Sequence, residues 1–257
     1  MNASLKEKWL EKLKVIAPNE WDSLKEVQSP YFYFGKKKTP LEWCHLKFYE
    51  KSQDNNGLQP QTLKLKNGRY AKEIPYERNL YYPSSGRFGF GKESEKNVIY
   101  LAGSWLTATC ETMPSFRKNP NISDEDMVNY MHGELIANPN IFGYPINLYL
   151  LKEIVLLNVE NPNSPFFEFI KKYNLWESGY SFYHQIVLSR DSKIYPITHA
   201  IAEVAYAHGF DGIKFKSVRK PPNSTFRDSE VCIALYKPDS VIDSLSYWEK
   251  MTNEETK

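Results

Sequence analysis

The hydrophobic period of the chain changes at one place, and that change limits the possible folds more than any composition figure does. Residues Ser52 to Gln61 are polar, include Asn55, Asn56 and Gly57, and read as a linker. Ahead of this stretch, apolar residues recur at helical spacing. Beyond it they come in short β-type runs separated by glycine, proline and capped helical patterns. The reading is therefore a helical extension over 1–60 and a mixed α+β domain over 61–257.

In the first part, Ser4 and Glu7 form a capping box, and Leu5, Trp9, Leu10, Leu13 and Ile16 follow at helical spacing. Asn19 is placed to cap a second helix carrying Trp21, Leu24 and Val27. Tyr31 to Phe34 reads as a short strand or a loop anchor. Thr39, Pro40 and Glu42 combine a cap, a proline at the first helical position and a reaching glutamate, which predicts a third helix to about Tyr49. Trp9, Trp21 and Trp43 are too large to leave in water, so this segment should pack on the domain or form an interface.

The second part begins with β-type runs at 62–65 and 72–76, then a glycine-rich stretch from Ser84 to Gly91. Asn97 to Ala102 has a buried-strand pattern, and Ser104 can cap a helix running through Glu111. Ser123 to Asp126 opens another helix, and Asn147 to Val159 is apolar enough for one long central strand. Ser164 and Pro165 start a helix ending near Asn174. Pro196 to His208 makes a further helix, with Gly209 just beyond its end. Asp211–Ser217 and Glu230–Tyr236 read as strands, and Val241–Lys250 as a terminal helix.

Composition excludes several functions. A net charge of +2 gives no global electrostatic case for nucleic acid or an anionic membrane. No apolar run approaches the ~18 residues of a membrane helix, and Met1 to Ile16 lacks the apolar core of a signal peptide. Cys44, Cys110 and Cys232 are too dispersed for a disulfide framework or a zinc site. The histidines show no metal-ligand spacing. His199 is the one to watch, although a structural histidine is the commoner outcome. A reducing, cytoplasmic setting is expected.

Three blocks then carry a resemblance. They are Gly86-Arg87-Phe88-Gly89; Val98 to Ala102 with Tyr100 at its centre; and Thr107 to Glu111. Downstream, Thr198 to Ala205, Gly209 to Ile213, and Lys216-Ser217 continue the pattern. In order and spacing they resemble the RES family of toxin-like, NAD⁺-consuming proteins, over roughly Arg69 to Tyr236. The resemblance implies an ADP-ribosyltransferase-like fold of mixed sheets with flanking helices. It also implies cleavage of NAD⁺ at the nicotinamide–ribose bond by hydrolysis, phosphorolysis or transfer of ADP-ribose. NAD⁺ is then a substrate, and no separate cofactor is implied. An inhibitory, antitoxin-type partner protein or a homo-oligomer would fit such a protein.

Site residues follow by position. Glu111 is the candidate carboxylate to stabilise the cation that develops on the ribose. An ordinary exposed helix glutamate is its plain alternative. Tyr100 would stack on nicotinamide or hold the ribose, or else serve as core. Arg87, in a loop whose glycines let backbone approach a ligand, would clamp the pyrophosphate; the alternative is a solvated arginine in a flexible hairpin. Arg69 and Tyr70 match the family's first-strand arginine and its aromatic neighbour, with Arg78 a competing choice. Ser217 would hold a ribose or the nicotinamide amide. The chain departs from the family in Ser229-Glu230, where a small polar residue usually stands, and in a longer loop over 219–228. Two rival functions remain open: a protein ADP-ribosyltransferase, and a non-catalytic NAD-binding module.

Overall fold

A computed structural model describes residues 4–34, 37–50, 61–64, 70–73, 82–83, 86–91, 93–104, 107–108, 111, 141–150, 152–218, 230–236 and 242–243. Helix α1 (Leu5–Lys14) starts with the expected capping box: Ser4 Oγ accepts from the Glu7 amide and Glu7 Oε2 accepts from the Ser4 amide. Helix α2 (Pro18–Asp22) is capped by the backbone of Ala17 and not by Asn19. Pro18 takes the first helical position because its φ is already helical and it has no N–H to satisfy. The chain then turns into strand β1 (Lys25–Gln28), which leaves Val27 59% exposed instead of on a buried helix face.

Strands β2 (Tyr31–Phe34) and β3 (Lys37–Pro40) form a hairpin, and β4 (Glu42–Glu50) follows. The helix expected from Thr39 to Tyr49 is therefore corrected. Its capping signal is local, whereas β4 finds a partner along its whole length: Glu42 to Glu50 pair residue by residue with Tyr149 back to Ile141. An unbroken ladder outweighs a cap contributing about 1 kcal/mol.

β5 (Gln61–Lys64) and β6 (Tyr70–Glu73) make a separate two-stranded sheet. β7 (Tyr82–Pro83) pairs with β8 (Asn97–Ala102). The expected single strand from Asn147 to Val159 is two strands, β9 (Ile141–Leu150) and β10 (Ile154–Asn158). The exposed charges Lys152 and Glu153 lie at the break between them. Then come α3 (Pro165–Lys172), α4 (Gly179–Phe182) running into a π-helical turn (Tyr183–Val187), a 3₁₀ turn (Ser192–Ile194), and α5 (Tyr195–Ala207). Asn174 and Gly209 adopt the left-handed conformations, φ 49° and 81°, that end α3 and α5. Strands β11 (Gly212–Lys216), β12 (Val231–Leu235) and β13 (Ile242–Asp243) complete the elements. Residues 242–243 are thus extended on β9 and not helical. The helix expected from Ser123 lies outside the described residues.

The main sheet has the order β1-β10-β11-β12-β8-β4-β9-β13, with β7 beside β8. Among the described residues β10 and β11 run parallel, and the other strand pairs of this sheet are antiparallel. Alternation along each strand divides the core between the two faces. Val98, Ala102, Leu157, Cys232 and Ala234 join the larger cluster, with the helices and their aromatic residues. Ile99, Leu101, Leu156, Ile233 and Leu235 join a smaller, mostly aliphatic one.

The described residues before 51 include four strands, so an all-helical extension is not what forms. β1 and β4 are strands of the main sheet. Trp9 packs with its ring centroid 5.6 Å from that of Phe182, and Trp21 lies 4.8 Å from Phe169 and stacks on His208. Burying each of these indoles contributes on the order of 1.5–3 kcal/mol.

Candidate functional site

The site is built where the glycine-rich loop crosses the helix-covered face of β8. Tyr100 lies in the middle of β8 and projects toward Phe215, their rings meeting edge to face at 6.4 Å. Gly86 lies directly over it: a β-carbon at position 86 would overlap the Tyr100 hydroxyl. Only glycine lets the backbone pass this close. Burial pushes the Tyr100 phenol well above its ordinary value, and the positive charge of Arg87 partly opposes the shift.

Arg87, next in the loop, is 7% exposed. Its Nη1 donates to the Val187 carbonyl at 2.6 Å and its Nη2 to the Lys216 carbonyl at 3.4 Å. The guanidinium also lies 5.0 Å from the ring centre of Phe215 and 5.3 Å from that of Phe88. This is not the solvated arginine of a flexible hairpin. Burial pulls its pKa down, and the strongest opposing effect is the carboxylate of Glu111.

Outside side chains fix the loop's own carbonyls. His199 Nε2 is 2.8 Å from the Gly86 oxygen; a carbonyl only accepts, so Nε2 carries the proton. Thr198, fully buried, donates to the Arg87 carbonyl and also lies 3.0 Å from the Tyr195 carbonyl. Tyr236 donates to the Phe88 carbonyl at 3.3 Å. Three consecutive carbonyls are thus held by α5 and the end of β12. Burial lowers the His199 pKa, with the nearby Lys6 charge adding to the effect and the Gly86 bond opposing it.

The carboxylate comes from the turn that follows β8. Ser104 Oγ accepts from the Thr107 amide at 3.2 Å, the expected cap, and residues 107, 108 and 111 are helical. This turn brings Glu111 to Ser217, whose Oγ donates to Glu111 Oε1 at 2.5 Å. Ser217 is buried just past the end of β11, and its amide donates to the Glu230 carbonyl at 2.8 Å. Residues 106 positions apart therefore meet at one hydrogen bond.

Four of the six expected site residues, Tyr100, Arg87, Glu111 and Ser217, converge here. Tyr70 is in β6, in the separate two-stranded sheet, and Arg69 and Arg78 lie outside the described residues, as does the 219–228 loop. Thr198 and the Val187 carbonyl were missed as parts of the site. The Thr198 hydroxyl lies in a helix whose sequence gives it no distinguishing signal, and the π-helical turn that presents Val187 has no sequence signature, although such turns favour functional sites. Among the described residues no group of three or more histidine, cysteine or acidic side chains could hold a metal ion. No described helix is long and apolar enough to cross a membrane.

On this α+β sheet a buried arginine, a tyrosine and a serine-held carboxylate gather around a glycine-rich loop into one compact polar site. The chain belongs to the RES domain family, whose model matches residues 65–248. No curated protein and no solved structure is similar enough to the chain to count as a match. Family membership is consistent with NAD-related, toxin-like function.

Proposed function

We propose that the protein binds NAD⁺ and cleaves its nicotinamide–ribose bond, with water or phosphate as acceptor. The supporting observation is the 2.5 Å bond between Ser217 and Glu111, formed beside the buried guanidinium of Arg87. The C1′–N bond breaks with its electron pair going to the nicotinamide nitrogen, so the ring leaves neutral and needs no strong acid. The harder task is to stabilise the positive charge left on the ribose, and an oriented carboxylate in a water-poor site does that. Ser217 fixes the rotamer of Glu111, Tyr100 offers a ring to nicotinamide or a hydroxyl to the ribose, and Arg87 supplies positive charge for the pyrophosphate. The acceptor oxygen then bonds to C1′ and releases its proton. A toxin-like activity of this kind calls for an inhibitory partner protein in the same cytoplasm.

Incubating the purified full-length protein with NAD⁺, with and without phosphate, and weighing the products tests this reading. Free nicotinamide with ADP-ribose marks hydrolysis, and with phosphorylated ADP-ribose marks phosphorolysis. A mass increase on added protein would mark transfer. Binding without nicotinamide release would overturn the enzymatic reading in favour of a binding module.

A further inference from the structure

The family match begins at residue 65, yet a side chain from α1 reaches the site loop. Lys6 Nζ donates to the carbonyl of Phe90 at 2.8 Å and pairs with Glu203 of α5 at 2.8 Å. Phe90 is the residue after Gly89, at the far end of the turn that the Gly89 amide closes on the Gly86 carbonyl. His199, Thr198 and Tyr236 hold the carbonyls of residues 86, 87 and 88, and Lys6 holds that of residue 90. Of these four, Lys6 is the one that carries a full charge and spans two helices. Its side chain is 28% exposed and that of Glu203 is 32% exposed, so the pair is partly shielded from water.

We propose that Lys6 is a positioning residue: by anchoring Phe90 to α5 it sets the path of the loop that carries Arg87, which makes α1 part of the site's framework. The proposal rests on the NAD⁺ reading for its kinetic consequence and on geometry alone for its effect on the loop. Arg87 contacts NAD⁺ equally in ground and transition states, so misplacing it raises KM and leaves kcat largely intact. A lysine that served only as a surface ion pair would change neither.

The test uses the full chain with Lys6→Met, Lys6→Gln and Lys6→Arg, and with Glu203→Gln, which removes the ion pair but leaves the bond to Phe90. Hydrogen exchange of residues 86–91 is read beside NAD⁺ kinetics. Lys6→Met and Lys6→Gln should each raise exchange in 86–91 roughly tenfold and raise KM about tenfold with kcat within about twofold. Lys6→Arg should restore both, and Glu203→Gln should have the smaller effect. Wild-type exchange at 86–91 in folded Lys6→Met and Lys6→Gln proteins would overturn the proposal. Should the wild type prove inert toward NAD⁺, the functional reading fails on its own and exchange alone decides the role of Lys6.

Discussion

The two faces of the main sheet are built from the same strands and do different work. On one face, Ile99, Leu101, Leu156, Ile233 and Leu235 make a dry aliphatic layer. On the other, the residues one position along face the helices and their aromatic side chains, where the Thr198 hydroxyl and the His199 imidazole of α5 hold the site loop. A strand has period two, so each residue of β8 is committed to one role: Ile99 and Leu101 to packing, Tyr100 between them to the site. The difference puts the candidate site and the larger core cluster on one parity of the strands and a smaller aliphatic cluster on the other, and substitutions can test how far the second is independent of the site.

The largest effect is expected at the carboxylate. Glu111→Gln keeps the shape and the serine partner but removes the charge, so turnover should fall on the order of 10²-fold or more with NAD⁺ affinity retained. Steady-state kinetics with a calorimetric binding measurement checks both, and near-normal turnover in a folded protein would end the central claim. Arg87→Ala comes next: it should weaken NAD⁺ binding by about 1.5–3 kcal/mol, the scale of charge-assisted hydrogen bonds. Arg87→Lys should recover only part, because an ammonium cannot reproduce the fork that spans Val187 and Lys216. An unchanged dissociation constant would reduce Arg87 to a structural brace.

A milder effect belongs to His199. Its folded-state pKa lies below the unfolded value, so the unfolded chain binds the extra proton more readily and stability falls as pH drops below about 6.5. His199→Gln should flatten that acid-side decline in Tm between about pH 7 and 5; an identical slope would contradict the assignment. The smallest effect on chemistry is expected from the opposite face. Leu101→Ala should cost about 2–5 kcal/mol of stability, read by denaturant unfolding, while KM and kcat stay at wild-type values. A kinetic defect there would show that the two faces are coupled.

What could be read from the sequence follows the range of each signal. β8, the Ser104 cap, α5 with Gly209, β11 and β12 are dictated by neighbours within a few residues, and the structure has them close to where the pattern puts them. Glu111 and Ser217 were each singled out through family resemblance, but their hydrogen bond to one another was not legible, since nothing local links positions 106 residues apart. β4 was misread because a genuine capping pattern at Thr39 to Glu42 competes with a ladder to β9 that no local window contains. Thr198 and Val187 entered the site for a similar reason: a hydroxyl on a helix and a carbonyl in a π-helical turn acquire their roles only when the loop arrives.

The place of β8 in the strand order has a consequence for synthesis. It sits between β4, made well before it, and β12, made some 130 residues later, as residues 97–102 and 231–235 show. At about 5–20 residues per second, the ribosome delivers β12 on the order of ten seconds after β8 has emerged. Until then the Gly86–Phe90 loop lacks the Tyr236 hydroxyl that holds the Phe88 carbonyl, and Tyr100 lacks its pairing with Ala234. A nascent chain therefore carries no assembled site. Under the NAD⁺-cleaving function proposed above, the order of translation delays activity until the chain has been made through β12.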